Sequence, residues 1–258
     1  MKRWLNTIIE GDCLQVMADF PAGSIDMVLC DLPYGQTRNP WDQRIDLDKL
    51  WLQYRRIIKD RGAIVLTSHG IFTGLLISSN PDWFRYKIVW IKSKATNFLN
   101  AKKQPLRKHE DVCIFYKKQG CYQPQMTPGK AYSLYRKPHK TGSYNVFDAA
   151  VTINKGERYP VDVVHIPPGK YDADCFHPNQ KSVELGRYLV RTFTRPGEIV
   201  LDNACGSGSF PLAALLEGRR FIGIEKNQHS YLRKSQPADF VDIARKRIKE
   251  VKTINQNI

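Results

Sequence analysis

Residues 198–208 read EIVLDNACGSG, an apolar run that ends in an acidic residue and passes into a glycine-rich turn. The run predicts a buried strand, and the spacing of the following apolar residues predicts a helix over 209–218. A second apolar run over 221–224 predicts another strand, which Glu225 closes. A strand, a helix and a further strand in this order are typical of a parallel pair joined by a helical crossover.

The same alternation extends outward to both ends of the chain. The apolar spacing predicts helices at 46–59, 71–79, 181–193 and 239–253, and strands near residue 10 and at 25–30, 63–67, 84–91 and 111–116. Strands that alternate with helices indicate a mostly parallel sheet covered on both faces. We therefore expect an α/β, Rossmann-like fold with a mostly parallel, twisted sheet.

Residues 118–176 interrupt this alternation. Prolines occur there at positions 124, 128, 138, 160, 167 and 168. Proline breaks long helices and central strands. The segment has aromatic residues but little periodicity, which favours a loop-rich insert. We therefore expect three regions: residues 1–117 and 177–258 as the two halves of one domain, and 118–176 as the insert between them.

The chain is strongly basic, with 40 Lys and Arg against 25 Asp and Glu and a net charge of +15. Between residues 92 and 140, twelve basic residues accompany two acidic ones, and aromatic residues are interleaved. Lys and Arg neutralise phosphates, and aromatic rings pack on bases, so this tract favours a nucleic-acid partner over an ordinary solvated surface. The candidate phosphate contacts are Lys102, Lys103, Arg107 and Lys108.

The cysteines and the apolar runs exclude several classes of protein. Six cysteines occur singly and none forms a Cys-x-x-Cys pair, which disfavours a zinc site and indicates reduced thiols in a cytoplasmic protein. No cysteine follows a proline, so we expect no Pro-Cys nucleophile. No signal peptide is apparent, and no run reaches the roughly 18 apolar residues of a membrane span. Neither a metal nor a membrane partner is expected.

The glycine-rich turn lies where open parallel sheets bind ligands, beyond the carboxyl end of a strand. Gly206 and Gly208 allow the backbone to approach a ligand closely. Glu225, at the end of the next strand, can accept hydrogen bonds from ribose hydroxyls. These features favour a nucleoside-containing cofactor. An ordinary tight turn stays an alternative, because position 211 is Pro where the fingerprint of NAD enzymes has Gly.

A second turn, Asp31-Leu32-Pro33-Tyr34, ends the apolar run 25–30. The exocyclic amino nitrogen of a base is a poor nucleophile, because its lone pair is delocalised into the ring. An acceptor such as Asp31 can accept a hydrogen bond from an N–H of this amino group, which makes the nitrogen more nucleophilic. Pro33 makes the turn rigid, and Tyr34 offers a ring for an extruded base. The alternative is an ordinary turn at a strand end.

Together these motifs resemble the S-adenosylmethionine-dependent DNA amino-methyltransferases of the permuted β class. Residues 31–34 match the Asp-Pro-Pro-Tyr motif of that family, with Leu32 for the first Pro. Residues 202–209 match its Asp-Pro-Phe-x-Gly-Ser-Gly-Thr loop, with departures at 203, 204 and 209. Residues 177–182 are similar to its His-Pro-Thr-Gln-Lys-Ser segment, and 10–14 also fit. The catalytic turn precedes the cofactor loop, an order typical of this class.

The resemblance implies S-adenosylmethionine as the cofactor, DNA as the substrate, and a target recognition region at 118–176. It implies a catalytic role for Asp31, Pro33 and Tyr34. It also implies a set of cofactor-binding residues: Asp12, Cys13, His177, Lys181, Ser182, Asp202, Asn203, Ala204, Gly206, Ser207, Gly208 and Glu225. Asn203 and Ala204 replace a Pro and a Phe of the family, which we expect to affect cofactor affinity and not the type of reaction.

The expected reaction is direct methyl transfer to adenine N6 of an extruded base, with cytosine N4 as the alternative. A DNA-binding module of the same fold without turnover, and an oxidoreductase that uses a nicotinamide, are further alternatives. Arg38 and Trp41 follow Tyr34 and are candidates for DNA contact during base extrusion. The resemblance also implies a bacterial or phage-type protein of the cytoplasm that can form a homodimer.

Overall fold

A computed structural model of the chain describes residues 1–35, 42–140, 142, 146–173, 180–227, 231–233 and 236–256. The chain forms two compact units, Met1–Gln123 with Asp162–Ile258, and Pro124–Val161. The first unit contains an 8-stranded sheet, together with all the α-helices of the described residues. None of these helices is long and apolar enough to cross a membrane.

The N-terminal half of the first unit alternates strands and helices. Its elements are β1 (Thr7–Glu10), α1 (Cys13–Ala18), β2 (Ile25–Cys30), α2 (Leu47–Ile57), β3 (Ile58–Ser68), α3 (Ile71–Ser79), β4 (Phe84–Thr96) and β5 (Arg107–Phe115). Asp12 caps α1 through its side chain, a common way to satisfy the first amides of a helix. The predicted helix 46–59 ends two residues early, because Ile58 pairs with Ile25 and begins β3.

The second unit consists of short strands. They are β6 (Thr127–Pro128), β7 (Tyr132–Arg136), β8 (His139–Lys140), β9 (Val146–Phe147), β10 (Ala150–Asn154) and β11 (Glu157–Arg158). β7 pairs with β10, β6 with β11 and β8 with β9, all antiparallel. The segment expected to be rich in loops therefore contains two-stranded ribbons.

The C-terminal half of the first unit resumes the α/β alternation. Its elements are β12 (Val163–His165), α4 (Val183–Phe193), β13 (Ile199–Asp202), α5 (Ser209–Leu216), β14 (Arg220–Glu225), β15 (Tyr231–Arg233), β16 (Gln236–Ala238) and α6 (Phe240–Gln256). The second unit is shorter than the predicted insert 118–176. β12 pairs in parallel with β4, and the Gln123 amide donates to the Thr192 carbonyl at 2.8 Å. These pairings join the flanking segments to the first unit, and a local sequence pattern does not reveal them.

The strands of the main sheet lie in the order β1-β14-β13-β2-β3-β5-β4-β12. The pairs on both sides of β5 are antiparallel and all the others are parallel. This sheet confirms the predicted α/β class with a mostly parallel sheet.

Two apolar clusters lie against the sheet, and β2 contributes to both. Val28 and Cys30 pack with residues of α1, α2 and α3. Met27 and Leu29 pack with residues of α4, α5 and α6. Side chains alternate along a strand, so the helices cover the two faces of the sheet. Because β2 is buried on both faces, it fixes the position of the next residue, Asp31.

Candidate active site

The carboxyl ends of the parallel strands meet at one edge of the sheet, where they border a cleft of about 790 Å³. Asp12 follows β1, Asp31 follows β2, and Asp202 and Glu225 end β13 and β14. β5 runs in the opposite direction, so its beginning, with Glu110, borders the same cleft. The topology therefore gathers acidic side chains that are far apart in the sequence.

The Asp31 carboxylate is held through one of its two oxygens. The Tyr34 hydroxyl donates to Asp31 Oδ1 at 2.7 Å, and the Thr67 hydroxyl of β3 donates to the same atom. Lys181 Nζ lies 3.1 Å from Oδ1 as well. Within the described part of the chain, every hydrogen bond and ion pair to this carboxylate ends on Oδ1. Oδ2 is therefore available to accept a hydrogen bond from a ligand.

The rest of the turn is fixed by packing. Leu32 is 2% exposed and lies in the apolar cluster of α1, α2 and α3, so burial restrains the position where the family motif has its first proline. The Tyr34 ring stacks on Phe72, with centroids 4.9 Å apart and 23° between the planes. Phe72 thus covers one face of the Tyr34 ring, and Lys181 Nζ lies 5.5 Å from the centroid of the same ring.

A chain of alternating charges leads from Asp31 to β4. Lys181 Nζ lies 2.6 Å from Glu110 Oε2, and Lys92 Nζ lies 3.0 Å from Glu110 Oε1. The Lys181, Glu110 and Lys92 side chains are 11%, 13% and 15% exposed, and that of Asp31 is 24% exposed. Each charge thus has an opposite partner, as burial of ionised groups requires.

Burial and neighbouring charges shift the pKa values of Asp31 and Lys181. Burial raises the pKa of Asp31; Lys181 and the hydroxyls of Thr67 and Tyr34 oppose this rise, and the Glu110 charge adds to it. Burial alone would lower the pKa of Lys181, but the facing Asp31 and Glu110 carboxylates raise it well above its usual range. Lys181 is therefore a cation at neutral pH, and it favours the charged form of Asp31.

The glycine-rich turn after β13 is shaped by its backbone. The Gly206 amide donates to Glu225 Oε2 at 2.7 Å. Gly206 and Gly208 have φ values of 48° and 81°, in the left-handed region that favours glycine. A Cβ on Gly208 would lie 2.8 Å from the Cβ of Ala244 in α6. The wall of the cleft at this point therefore depends on residues without side chains.

Asp12 and Glu225 lie at the ends of neighbouring strands, since β1 and β14 pair in parallel. Asp12 Oδ1 accepts the Leu14 amide hydrogen at 2.9 Å, and its Oδ2 lies 3.2 Å from Lys226 Nζ. Burial opposes ionisation of Asp12, but Lys226 and the Leu14 amide lower its pKa overall. Burial raises the pKa of Glu225. Two carboxyl groups so placed suit the hydroxyl and amino groups of a nucleoside.

Asn203 lies at the floor of the cleft, 2% exposed. The Tyr54 hydroxyl of α2 donates to Asn203 Oδ1 at 2.5 Å. Asn203 Nδ2 is buried and has no hydrogen-bond partner among the described residues. An unsatisfied buried donor is costly, and in a cleft it indicates a ligand atom that completes the bond.

Burial raises the pKa values of three further ionisable groups in this region. Burial raises the pKa of Asp202 to about 8, and the charges of Asp31 and Glu225 contribute. Burial also raises the pKa of Cys13 to about 11 and that of Cys30 well above its usual range. Thiols whose pKa values are raised in this way stay protonated near neutral pH.

The structure places most of the predicted site residues together. Those that line the cleft are Asp12, Cys13, Asp31, Pro33, Tyr34, Lys181, Asp202, Asn203, Ala204, Gly206, Ser207 and Glu225. Ser182 instead caps α4, where its hydroxyl accepts the Leu185 amide hydrogen at 3.3 Å, and Gly208 caps α5. Arg38, Trp41 and His177 lie outside the described residues.

The predicted phosphate contacts lie around the segment between β4 and β5. Arg107 lines the cleft, and Lys102, Lys103 and Lys108 are exposed. Among the residues that the structure describes, no group of three or more His, Cys, Asp or Glu side chains is arranged to hold a metal ion.

Thr67, Glu110 and Lys92 belong to the site, although no role in it was predicted for them. Thr67 is the next-to-last residue of β3, beside β2 in the sheet. Its hydroxyl at a strand end could have indicated a role. The roles of Glu110 and Lys92 depend on the antiparallel pairing of β4 with β5, which brings both to the edge that carries Asp31.

Comparison with known proteins identifies relatives that share most of the chain. A family model for DNA methylases matches residues 25–237. YubD of Escherichia coli K12 is 30% identical over 233 residues, which cover 86% of this chain and 85% of YubD.

Two solved structures share the fold. The M1.HpyAVI complex with SAM has a TM-score of 0.61 at 21% identity, and the match covers 94% of this chain and 98% of that one. The cytosine-N4-specific PvuII DNA methyltransferase has a TM-score of 0.61 at 17% identity and covers 96% and 90%. The family match spans both the catalytic turn and the glycine-rich turn. The chain therefore belongs to the N6/N4 DNA methylase family, as its resemblance to the DNA amino-methyltransferases predicts.

Proposed function

We propose that this DNA methyltransferase transfers the methyl group of S-adenosylmethionine to the N6 amino group of an adenine extruded from the duplex. The proposal rests on the hydrogen bonds and the ion pair that hold the Asp31 carboxylate. Tyr34, Thr67 and Lys181 hold Oδ1, so Oδ2 is an acceptor with a fixed position. A fixed acceptor is what activation of a delocalised amino nitrogen requires.

The residues around the glycine-rich turn fit S-adenosylmethionine. The carboxyl groups of Asp12 and Glu225 can accept hydrogen bonds from the adenosine part. Asn203 Nδ2 offers a donor that lacks a partner among the described residues. The position of a Cβ on Gly206 has no other atom within 4 Å, which leaves room for a ligand beside the backbone. When bound, the cofactor supplies an electrophilic methyl group on a positively charged sulfur.

The protein residues prepare the amino nitrogen and accept its proton. The amino group donates one N–H to Asp31 Oδ2, which localises the lone pair on the nitrogen. The proton that leaves the nitrogen as it is methylated passes to Asp31 and from there to water. Lys181 favours the charged, accepting form of Asp31 throughout, because the raised pKa of Lys181 keeps it protonated.

Adenine is proposed because the Asp-x-Pro-Tyr form of the turn is associated with adenine in the family that this chain resembles. Cytosine N4 is the second candidate, since cytosine presents an exocyclic amino group to the same acceptor. The PvuII methyltransferase, whose fold is similar, is named as cytosine-N4-specific.

Transfer of labelled methyl groups from S-adenosylmethionine to mixed-sequence DNA tests the proposal. Asp31→Asn should lower the rate by about 100-fold or more, the usual size of an acid–base contribution. Asp82→Asn, which alters an exposed aspartate outside the cleft, should transfer label like the wild type.

Calorimetry with S-adenosylmethionine distinguishes a loss of methyl transfer from a loss of cofactor binding. Asp31→Asn should bind the cofactor as the wild type does. Equal label transfer by Asp31→Asn and wild type would overturn the role of Asp31. DNA binding without label transfer by the wild type would instead favour a module without turnover.

A further inference from the structure

Two large apolar side chains between β4 and β5 are mostly exposed to solvent. Phe98 and Leu99, called here the apolar tip, are 75% and 84% exposed. Exposure of single apolar residues is common, but two adjacent ones in the connection between two paired strands indicate a surface that binds a partner.

The apolar tip belongs to an ordered turn. Phe98–Asn100 forms one turn of 3-10 helix. The Asn100 amide donates to the Asn97 carbonyl at 3.0 Å, the Lys103 amide donates to the Asn100 carbonyl at 2.8 Å, and Asn100 Nδ2 donates to Asn97 Oδ1 at 2.7 Å. The turn therefore holds the two side chains outward before any partner arrives, which reduces the entropy cost of binding.

The apolar tip directly adjoins residues that line the catalytic cleft. Thr96 and Asn97 precede it and line the cleft, and Arg107, on the returning strand, lines it too. Phe98 follows Asn97 directly, so their Cα atoms are about 3.8 Å apart. Phe98 therefore lies directly beside a residue of the cleft wall.

The surroundings of the apolar tip are positively charged. Lys94, Lys102, Lys103 and Lys108 are exposed on the same hairpin, and no Asp or Glu occurs from residue 92 to residue 108. Cations around an apolar point match a duplex, with phosphates outside and stacked bases within. A purely apolar protein partner would not require them.

We propose that Phe98 and Leu99 enter the base stack of the DNA duplex and occupy the space that the target base leaves when it turns into the cleft. Phe and Leu are among the residues that proteins insert between base steps. The inserted side chains replace part of the lost stacking and so favour the extruded state. This inference rests on the proposed function, since it concerns the path of the base to Asp31.

Two duplexes that differ only in the cost of extrusion test the inference. Sequencing of methylated bases in DNA treated with the wild type first supplies the target site. One duplex then carries the target base paired normally, and the other carries it opposite an abasic position. The variant is Phe98→Ala combined with Leu99→Ala, and the control is Leu52→Ala, a leucine on α2 that is 70% exposed.

The double variant should methylate the paired duplex about tenfold or more slowly than the wild type, as loss of a stacking contact predicts. On the duplex with the abasic position it should match the wild type. Leu52→Ala should match the wild type on both. Methylation of the paired duplex at the wild-type rate would overturn the inference and favour a docking surface for another partner.

An equal loss on both duplexes would also overturn the inference, because it would indicate damage to the cleft. Methylation of DNA by the wild type is measured in the same experiment. If the wild type methylates no DNA, the proposed function fails, and the inference that rests on it fails with it. If only the prediction for the apolar tip fails, the proposed function stands.

Discussion

Replacing Lys181 by Met removes the cation that lies between the Asp31 and Glu110 carboxylates and keeps most of the side-chain volume. Lys181 Nζ lies 3.1 Å from Asp31 Oδ1 and 2.6 Å from Glu110 Oε2. Without it, Asp31 loses its cation and still faces the Glu110 charge, which raises the pKa of Asp31. We therefore expect the Asp31 carboxyl group to titrate at higher pH in this variant.

The size of the effect follows from the geometry. Two unit charges 3.1 Å apart interact by about 5 kcal/mol at an effective dielectric constant of about 20, an upper figure that omits desolvation. Carboxylates beside a cation have pKa values lowered by about 1–3 units, so Lys181→Met should raise the pKa of Asp31 by about that amount. Asp31 acts as a carboxylate, so activity is present above its pKa and lost as the pH falls through it. The acidic limb of the pH–rate profile should move to higher pH by about 1–3 units.

Single-turnover methyl transfer, measured from acid to mildly alkaline pH, is the assay. The rate of Lys181→Met should fall most at acid pH and approach the wild-type rate at alkaline pH, and Lys181→Arg should restore the limb toward its original position. Lys87→Met is the matched control, because Lys87 Nζ lies 2.8 Å from Asp111 Oδ1 and neither residue lines the cleft. An unmoved limb, or the same loss of rate at every pH, would refute the role given to Lys181.

Three further changes have expected outcomes. Joint replacement of Lys102 and Lys103 by Ala should weaken binding to DNA of every sequence and reduce the slope of log K against log salt by about 0.9 per lost phosphate contact, measured by fluorescence anisotropy; an unchanged slope would exclude phosphate contact. Tyr54→Phe removes the donor to buried Asn203 Oδ1 and should lower the free energy of unfolding by about 1–3 kcal/mol in urea titrations; wild-type stability would contradict this. Gly208→Ala should destabilise the protein by about 1–3 kcal/mol, because residue 208 has a φ of 81° and the added Cβ would lie 2.8 Å from that of Ala244. Its control, Gly74→Ala in α3, has open space around the added Cβ and should stabilise the protein by about 0.5–1 kcal/mol. Equal unfolding midpoints for the two variants would argue against strain at the turn.

The elements were predictable from the sequence where one local pattern dominates. The run 25–30 is a strand because six consecutive residues are buried on both faces of the sheet, and α4 follows an amphipathic spacing that begins after the cap Ser182. The residues of the two turns, together with their order along the chain, were sufficient to indicate the family. These features depend on neighbours in the sequence, so a local pattern contains them.

The contacts that complete the site were not predictable in the same way. Thr67 and Lys181 reach Asp31 only because β3 lies beside β2 and the segment before α4 returns to the same edge. The bond between Tyr54 and Asn203 joins α2 to the glycine-rich turn across most of the chain. The limits of the second unit depend likewise on the pairing of β12 with β4. Such contacts follow from the topology, which spacing alone does not specify.

The identity of the methylated base tests the proposed function most directly. DNA is incubated with the protein and S-adenosylmethionine, digested to nucleosides, and separated by chromatography with mass detection. We expect N6-methyldeoxyadenosine with the wild type and almost none with Asp31→Asn. N4-methyldeoxycytidine in its place would contradict adenine as the target, and equal yields from the wild type and Asp31→Asn would contradict Asp31 as the acceptor.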